Sequence, residues 1–349
     1  MSAGPTTPVV DSLGMFEAAA GLPEQVALAV DAAADLAGLP DHDYVENVVV
    51  LGMGGSGISG DVMVAVAGPF LPVPVTVVKA YELPDFVGRG SLVFAMSFSG
   101  DTEETVEAAG EAFESGAHLV AVTSGGQLGQ LAREWGAPTV AVPADIPQPR
   151  AAIGAMAIPP LIVLEQIGLF RGAREWVQLA VEQLKVRRDQ LVTPGNLAEA
   201  VAARIGRTMP LVHGAEALGA AAVTRWKAQI NENAKCPAFA NVYPELCHNE
   251  IAGWGQHGDV TRQVFTMVNL RHDAEHPQIV RRFDLVTELL REVVSDVVEV
   301  RAEGEGDLAQ LLDLVLIGDF VSLHLAAAEG IDPGPIPVLG ELKRRLRDG

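Results

Sequence analysis

The residues Asn-Val-Val-Val-Leu at 47–51 run directly into Gly52-Met-Gly-Gly-Ser-Gly57-Ile-Ser-Gly60. A short unbroken apolar run is the pattern of a strand buried on both faces, and the glycines and small residues after it open a loop and a helix. The same succession recurs along the chain. Residues 73–78, 91–96, 118–122 and 138–142 are further strand candidates, with helical periodicity over 102–114 and 128–135 between them. Strands alternating with helices predict a parallel sheet covered on both faces. Helical spacing also covers the segment before residue 36, and residues 154–192 read as one helix.

Val192-Thr-Pro-Gly-Asn196 breaks the pattern, and the domain boundary is placed there, giving units 1–192 and 193–349. The alternation then restarts. Strands are expected at 209–213, 263–270 and 297–302, and helices at 215–233, 277–294 and 309–329. A short tail helix carrying Lys343 follows Asp332-Pro-Gly-Pro335. Residues 48–68 and 210–230 share one order of strand, glycine-containing loop and small-residue helix, which reads as a degenerate repeat.

Composition narrows the function classes. At 349 residues the chain is long enough for about two domains, and its 49% apolar content is that of a globular protein. Lys and Arg number 24 against 45 Asp and Glu, a net charge of −21. Nucleic acid and anionic membrane need a basic footprint that this balance lacks, so any anionic ligand is held by local devices. Two cysteines, Cys236 and Cys247, exclude a disulfide framework and a thiolate-based zinc site. The first residues have no basic signal region, and no unbroken apolar stretch reaches about 18 residues, so a cytoplasmic protein without a membrane span is expected.

Four segments carry chemistry. The glycine loop 52–60 fits an anion site at a helix N-terminus. It also satisfies the spacing G-x-G-x-x-G, although the second strand ends Val77-Val78-Lys79, with Glu82 beyond, where a dinucleotide site wants an acid. A tight packing turn is the bland alternative. Ser97-Phe-Ser99-Gly-Asp-Thr102 places hydroxyls at a second strand end, either as helix caps or as neutral donors to a phosphate. Thr123-Ser124-Gly125-Gly126 is a third such loop. Trp226-Lys-Ala-Gln-Ile-Asn231-Glu232-Asn233-Ala-Lys235 ends a helix, and Tyr243-Pro-Glu245-Leu-Cys-His248-Asn249-Glu250 follows soon after. Glu232 alone would be a solvated helix end. Carboxylate and imidazole together are equipment for moving protons beside a carbonyl. His248, Glu250 and His257 are conceivable metal ligands, but no ligand-spacing motif supports them. Arg150, in Gln148-Pro-Arg150-Ala, either caps the following helix or faces a ligand.

Together, LGMGGSGISGD, SFSGDTEET, VTSGG, PRAAIG, WKAQINENAK, YPELCHNEIAGW and ELKRRL resemble the bifunctional phosphoglucose/phosphomannose isomerases of the sugar isomerase (SIS) fold, nearly end to end. The INENAK and PEL-x-HNEI pair is the specific part. The resemblance implies an α/β chain of two SIS domains, each a parallel sheet flanked by helices, with an N-terminal helix and a C-terminal helical tail. It implies interconversion of glucose 6-phosphate and mannose 6-phosphate with fructose 6-phosphate, without metal or cofactor. On matching positions it makes Gly55, Ser56, Ser97, Ser99 and Thr102 the phosphate cradle and Glu232 the base working between C1 and C2. Arg150 becomes the cation at the enediolate, while His248 opens the ring from the neighbouring subunit of a homodimer. Lys343 assists ring opening or orientation. The chain differs from the family's common residues at Asp101, Cys236 and Cys247. Its segment around Gly334 lacks the hydroxyl that some relatives place beside the sugar. The competing readings are a non-catalytic sugar-phosphate sensor, which could discard Glu232 or His248, and a dinucleotide-dependent oxidoreductase.

Overall fold

A computed structural model describes residues 10–348. Five parallel strands, β1 (Asn47–Leu51), β2 (Val75–Val78), β3 (Ser91–Met96), β4 (His118–Thr123) and β5 (Thr139–Ala141), form one sheet in the order β2-β1-β3-β4-β5. Four more, β6 (Met209–Ala215), β7 (Phe239–Tyr243), β8 (Phe265–Arg271) and β9 (Asp296–Arg301), form a second parallel sheet in the order β7-β6-β8-β9. In the first half the helices are α1 (Met15–Ala20), α2 (Leu22–Ala32), α3 (Gly54–Val66), α4 (Glu103–Glu114), α5 (Gly126–Trp135), α6 (Ile153–Gln166) and α7 (Ala173–Leu191). In the second half they are α8 (Leu197–Ile205), α9 (Glu216–Gln229), α10 (Gly258–Val264), α11 (Pro277–Leu290), α12 (Asp307–Ala328) and α13 (Pro337–Asp348).

The strands alternate their side chains between two cores, as the period of two requires. Val48, Val50, Leu92 and Phe94 join the main core, while Val49, Leu51, Val93 and Ala95 join a smaller one under α4 and α5. The main core continues without interruption into the second sheet through Val212, Val268 and Val298. Gly60 shows how closely α3 lies on its sheet: a Cβ there would meet methyls of Val50 and Val77 at 2.9 Å. The repeat suggested by the sequence has a physical counterpart. A Cβ on Gly57 would lie 2.6 Å from the Gly52 carbonyl, and one on Gly214 would lie 2.7 Å from the Gly219 carbonyl. Each half therefore joins strand to helix through two glycines in backbone contact, and α3 packs on α9.

Two expected elements change. The single helix over 154–192 is two, because Gly168 and Gly172 take φ values of +85° and +82° and end α6 before α7 begins. The helix expected to run to residue 233 stops at Gln229 and widens into a π-helical turn over Ile230–Ala234. Strand β7 and helices α8 and α10 have no counterpart among the sequence expectations.

Helix α12 is long and apolar enough to cross a membrane, but it is buried as the central helix of the core. Asp313 and Asp319 interrupt its apolar run, and each meets a buried arginine. Arg187 donates to Asp313 at 2.8 and 2.9 Å. Arg225 donates to Asp319 at 3.0 and 2.7 Å, and Gln229 adds a bond of 2.8 Å to the same carboxylate. Breaking such a buried pair from one side leaves a charge without a partner, at a cost of about 3–5 kcal/mol. Asp319→Ala is therefore expected to lower the denaturation midpoint severely in urea titrations, and Asp319→Asn distinctly less.

Candidate active site

The first sheet reverses its winding at β1 and β3. The connections from these neighbouring strands leave in opposite directions, which opens a crevice at their carboxyl ends. The glycine loop and the 97–102 loop border it, and hydrogen bonds join them. Ser56 Oγ accepts from the Phe98 N–H at 3.3 Å, and Ser97 Oγ lies 2.9 Å from Thr102 Oγ1 while accepting from the Gly100 N–H at 3.1 Å. Ser99 accepts from the Asp101 N–H at 3.2 Å and stays exposed. Thr102 occupies the N-cap position of α4, yet its hydroxyl bonds Ser97 instead of a helix N–H. From the third loop, Ser124 donates to the Phe98 carbonyl at 2.6 Å. Gly100, at φ +76°, leaves no room for a Cβ beside the Gly125 backbone.

Asp101 does not burden this concavity. Its carboxylate turns to α5 and accepts from the Gln127 N–H at 2.9 Å, the favourable place for an anion at a helix start. The dinucleotide reading finds no acid at the end of β2. Lys79 stands there, with its ammonium 2.6 Å from Asp61.

Arg150 adjoins the glycine loop. A Cβ on Gly55 would lie 3.3 Å from the Arg150 Cα and from the Pro149 carbonyl. The Arg150 side chain is 2% exposed. Its Nε donates to Asn233 Oδ1 at 2.7 Å, and its Nη2 donates to the carbonyls of Pro333 and Gly334 at 2.6 and 2.8 Å. Nη1 reaches Gln148 at 3.3 Å. A guanidinium has five N–H donors, so one on Nη1 stays uncommitted. That nitrogen faces Glu232, 3.7 Å from Oε2. Burial pushes the Arg150 pKa down, and Glu232 works against it.

The π-helical turn presents Glu232 outward, 28% exposed, and Asn233 inward, where Asn233 also donates to Ser322 at 2.9 Å. Lys235, at φ +53°, closes the turn. Its ammonium donates to the Glu232 carbonyl at 2.7 Å and to the carbonyls of Asp332 and Pro333 at 3.1 Å each. Burial, then the charge of Arg150, lower its pKa. The clamp made by Asn233, Lys235 and residues 332–334 was not among the sequence expectations, because its acceptors are mostly backbone carbonyls that no side-chain motif reports. Gly334 packs on Leu13: a Cβ there would lie 2.7 Å from the leucine Cγ.

Among the described residues no hydrogen bond or ion pair joins His248 or Lys343 to this cluster. Glu232 precedes β7 and His248 follows it, so within one chain they flank a strand of five residues, roughly 17 Å of extended backbone. His248 ends a 3-10 turn, Glu245–His248, and is exposed. Lys343 is exposed on α13. Glu250 is committed elsewhere, its two oxygens taking His213 Nε2 at 2.9 Å and Asn241 Nδ2 at 2.8 Å. His248, Glu250 and His257 form no ligand cluster among the described residues; Asp41, His42 and Asp43 do, on an exposed turn before β1. Cys236 and Cys247 are both free and half-buried.

Residues 195–346 match the family described as the bacterial phospho-glucose isomerase C-terminal SIS domain, and residues 45–138 match the SIS domain. The bifunctional phosphoglucose/phosphomannose isomerase of Caldicellulosiruptor bescii is 33% identical over 96% of this chain and 99% of its own length. This chain belongs to the bifunctional phosphoglucose/phosphomannose isomerase family. The family's protein from Aquifex aeolicus is 34% identical over 86% of this chain and 91% of its own. The D-glucosamine-6-phosphate 4-epimerase of Sulfolobus acidocaldarius is 31% identical over 61% of this chain and 65% of its own. Among solved structures, tagatose-6-phosphate ketose/aldose isomerase from Escherichia coli superposes with a TM-score of 0.68 at 16% identity, over 95% of this chain and 98% of that one. This establishes the two-domain SIS fold, α/β with parallel sheets flanked by helices.

The loop beyond β7 has a pH signature. Burial raises the Glu250 pKa, but His213 by hydrogen bond and charge, with donors from Asn241 and Trp254, outweighs it and holds the carboxyl below its ordinary value. A depressed carboxyl stabilises the fold above its unfolded pKa of about 4.3, and that stabilisation disappears as the pH falls through the lower folded value. The protection factors of the amides across residues 244–254, their exchange relative to that of unfolded chain at the same pH, are expected to fall as the pH drops below about 4.3, and Glu250→Gln is expected to remove that dependence.

Proposed function

We propose that this chain reversibly converts glucose 6-phosphate, and mannose 6-phosphate, into fructose 6-phosphate through an enediolate, without a metal ion. The coarser statement, an isomerase acting on a sugar phosphate, follows from its family. One observation carries the finer one: the Glu232 carboxylate stands 3.7 Å from the Arg150 nitrogen with an uncommitted donor, and the Arg150 backbone abuts Gly55 of the cradle.

In this reading the backbone N–H groups at the start of α3 and the hydroxyls of Ser56, Ser97, Ser99 and Thr102 hold the phosphate, whose binding energy orients the carbons beyond it. Glu232 takes the proton from C2 of the open-chain aldose. The electron pair left on C2 forms the C1–C2 double bond, and the carbonyl pair moves to O1. Arg150 stabilises the charge gathering there, in a place where its donor is already fixed. Return of the proton to C1, with O1 gaining and O2 losing a proton, gives the ketose with no external oxidant. His248 of a second subunit moves a proton between the anomeric hydroxyl and the ring oxygen as the ring bond breaks, and Lys343 orients the sugar. The separation of Glu232 and His248 along β7 supports supply across a homodimer. So does the apolar face of α13, where Val338, Leu342 and Leu346 are exposed in the single chain. The division at residues 192 and 193 belongs to the same reading.

Presence of both Glu232 and His248 favours an enzyme over a sugar-phosphate sensor. Glu232→Gln is expected to lower kcat by about 10²–10⁴-fold or more, with fructose 6-phosphate affinity held within a few-fold. Near-normal turnover in that variant would remove Glu232 from the role of base. Ser97→Ala is expected to act differently, raising KM for the phosphosugar well before it lowers kcat.

A further inference from the structure

We propose that Glu250, held by His213 and Asn241, is the positioning residue for His248. The inference rests on the reading above, in which His248 opens the sugar ring. His213 and Asn241 are register partners across β6 and β7, so their side chains leave the sheet side by side. Both reach Glu250, one at each carboxylate oxygen, at 2.9 and 2.8 Å. Glu250 thereby ties the segment beyond β7 to the two strands beneath it.

His248 lies two positions before that tie, and its own ring is exposed. Its direction therefore depends on the backbone that carries it. The side chain of Asn249 stiffens the link between them, accepting from the Glu250 N–H at 2.6 Å and donating to Glu245 at 2.7 Å. Leu246 fixes the near side of the turn by burial, and Glu250 fixes the far side. The choice of groups also points to positioning. His213 is 0% exposed, and an apolar residue there would pack at less cost than a buried imidazole tied to a half-buried carboxylate. What the pair adds is direction, since a carboxylate held at both oxygens tolerates one placement, and misplacement of a catalytic group by about 1 Å can cost 10²-fold.

The test is a double-mutant cycle on the full-length protein, measuring conversion of fructose 6-phosphate to glucose 6-phosphate. Glu250→Ala is expected to lower kcat by about 10–100-fold with KM within about two-fold, the same pattern as His248→Gln. Adding Glu250→Ala to His248→Gln is then expected to cost nothing further, because the group being positioned is already gone. A second loss in the double variant equal to the loss in the single one would overturn the proposal, as would wild-type kcat in Glu250→Ala. If Glu250→Ala does not fold, Asn241→Ala removes one of the ties to the strands, and the same cycle with His248→Gln decides by the same criterion. Wild-type protein that makes no glucose 6-phosphate would refute the functional reading itself. A His248→Gln variant with unchanged turnover would remove the role of His248, and this proposal with it.

Discussion

Arg225 is 1% exposed, and a guanidinium so far from water is tolerable only with partners on every side. It finds the Asp319 carboxylate on α12 and, at 2.7 Å, the backbone carbonyl of Arg150. That second bond brings the turn carrying Arg150 onto α9, the helix whose π-helical extension carries Glu232. Arg150 in turn spends its donors on Asn233, Pro333 and Gly334, one turn of helix and one loop from the far end of the chain. Two buried arginines thus draw four stretches of sequence to one point. The carboxylate proposed as base stands where the second of them has a donor to spare.

The apolar framework makes that convergence possible. Helix α12 lies against α7, α8 and α9, and the main core runs from the first sheet through to the second. Glycine pairs at 52 and 57 and at 214 and 219 set how closely each leading helix follows its strand. The first pair also shapes the loop proposed to hold the phosphate, so packing and the proposed binding share residues there. The second pair has no hydroxyl-bearing loop facing it. Its crevice is filled from within, with His272 Nε2 3.2 Å from the Ala215 carbonyl and Arg271 paired to Glu275. The repeat is one of scaffold, and the two crevices carry different side chains.

Legibility in the sequence followed burial. Strands β1 and β3 were readable to the residue because every position but one is buried, which leaves an unbroken apolar run. Strand β7 was not, since Phe239 is exposed and the next three residues are half-buried, so neither template fits. The widening of α9 after Gln229 was hidden because apolar spacing continues through Ile230 and Ala234 while the hydrogen bonding changes. Among the site residues, Arg150 and Glu232 meet in space, 82 positions apart in the chain. Lys235 was visible only as part of a motif, since its work is done on carbonyls. The tie between His213 and Glu250 depends on the register of β6 against β7, which local periodicity does not determine.

The central claim is that a carboxylate and an arginine, beside a cradle of hydroxyls and backbone amides, carry the proton transfer between C1 and C2 without a metal ion. The most direct measurement incubates chelator-treated protein with fructose 6-phosphate and separates the products. The account predicts glucose 6-phosphate, with mannose 6-phosphate beside it, at a rate that added divalent cations do not change. Binding of fructose 6-phosphate without either product, or turnover that appears only when a metal is restored, would contradict it.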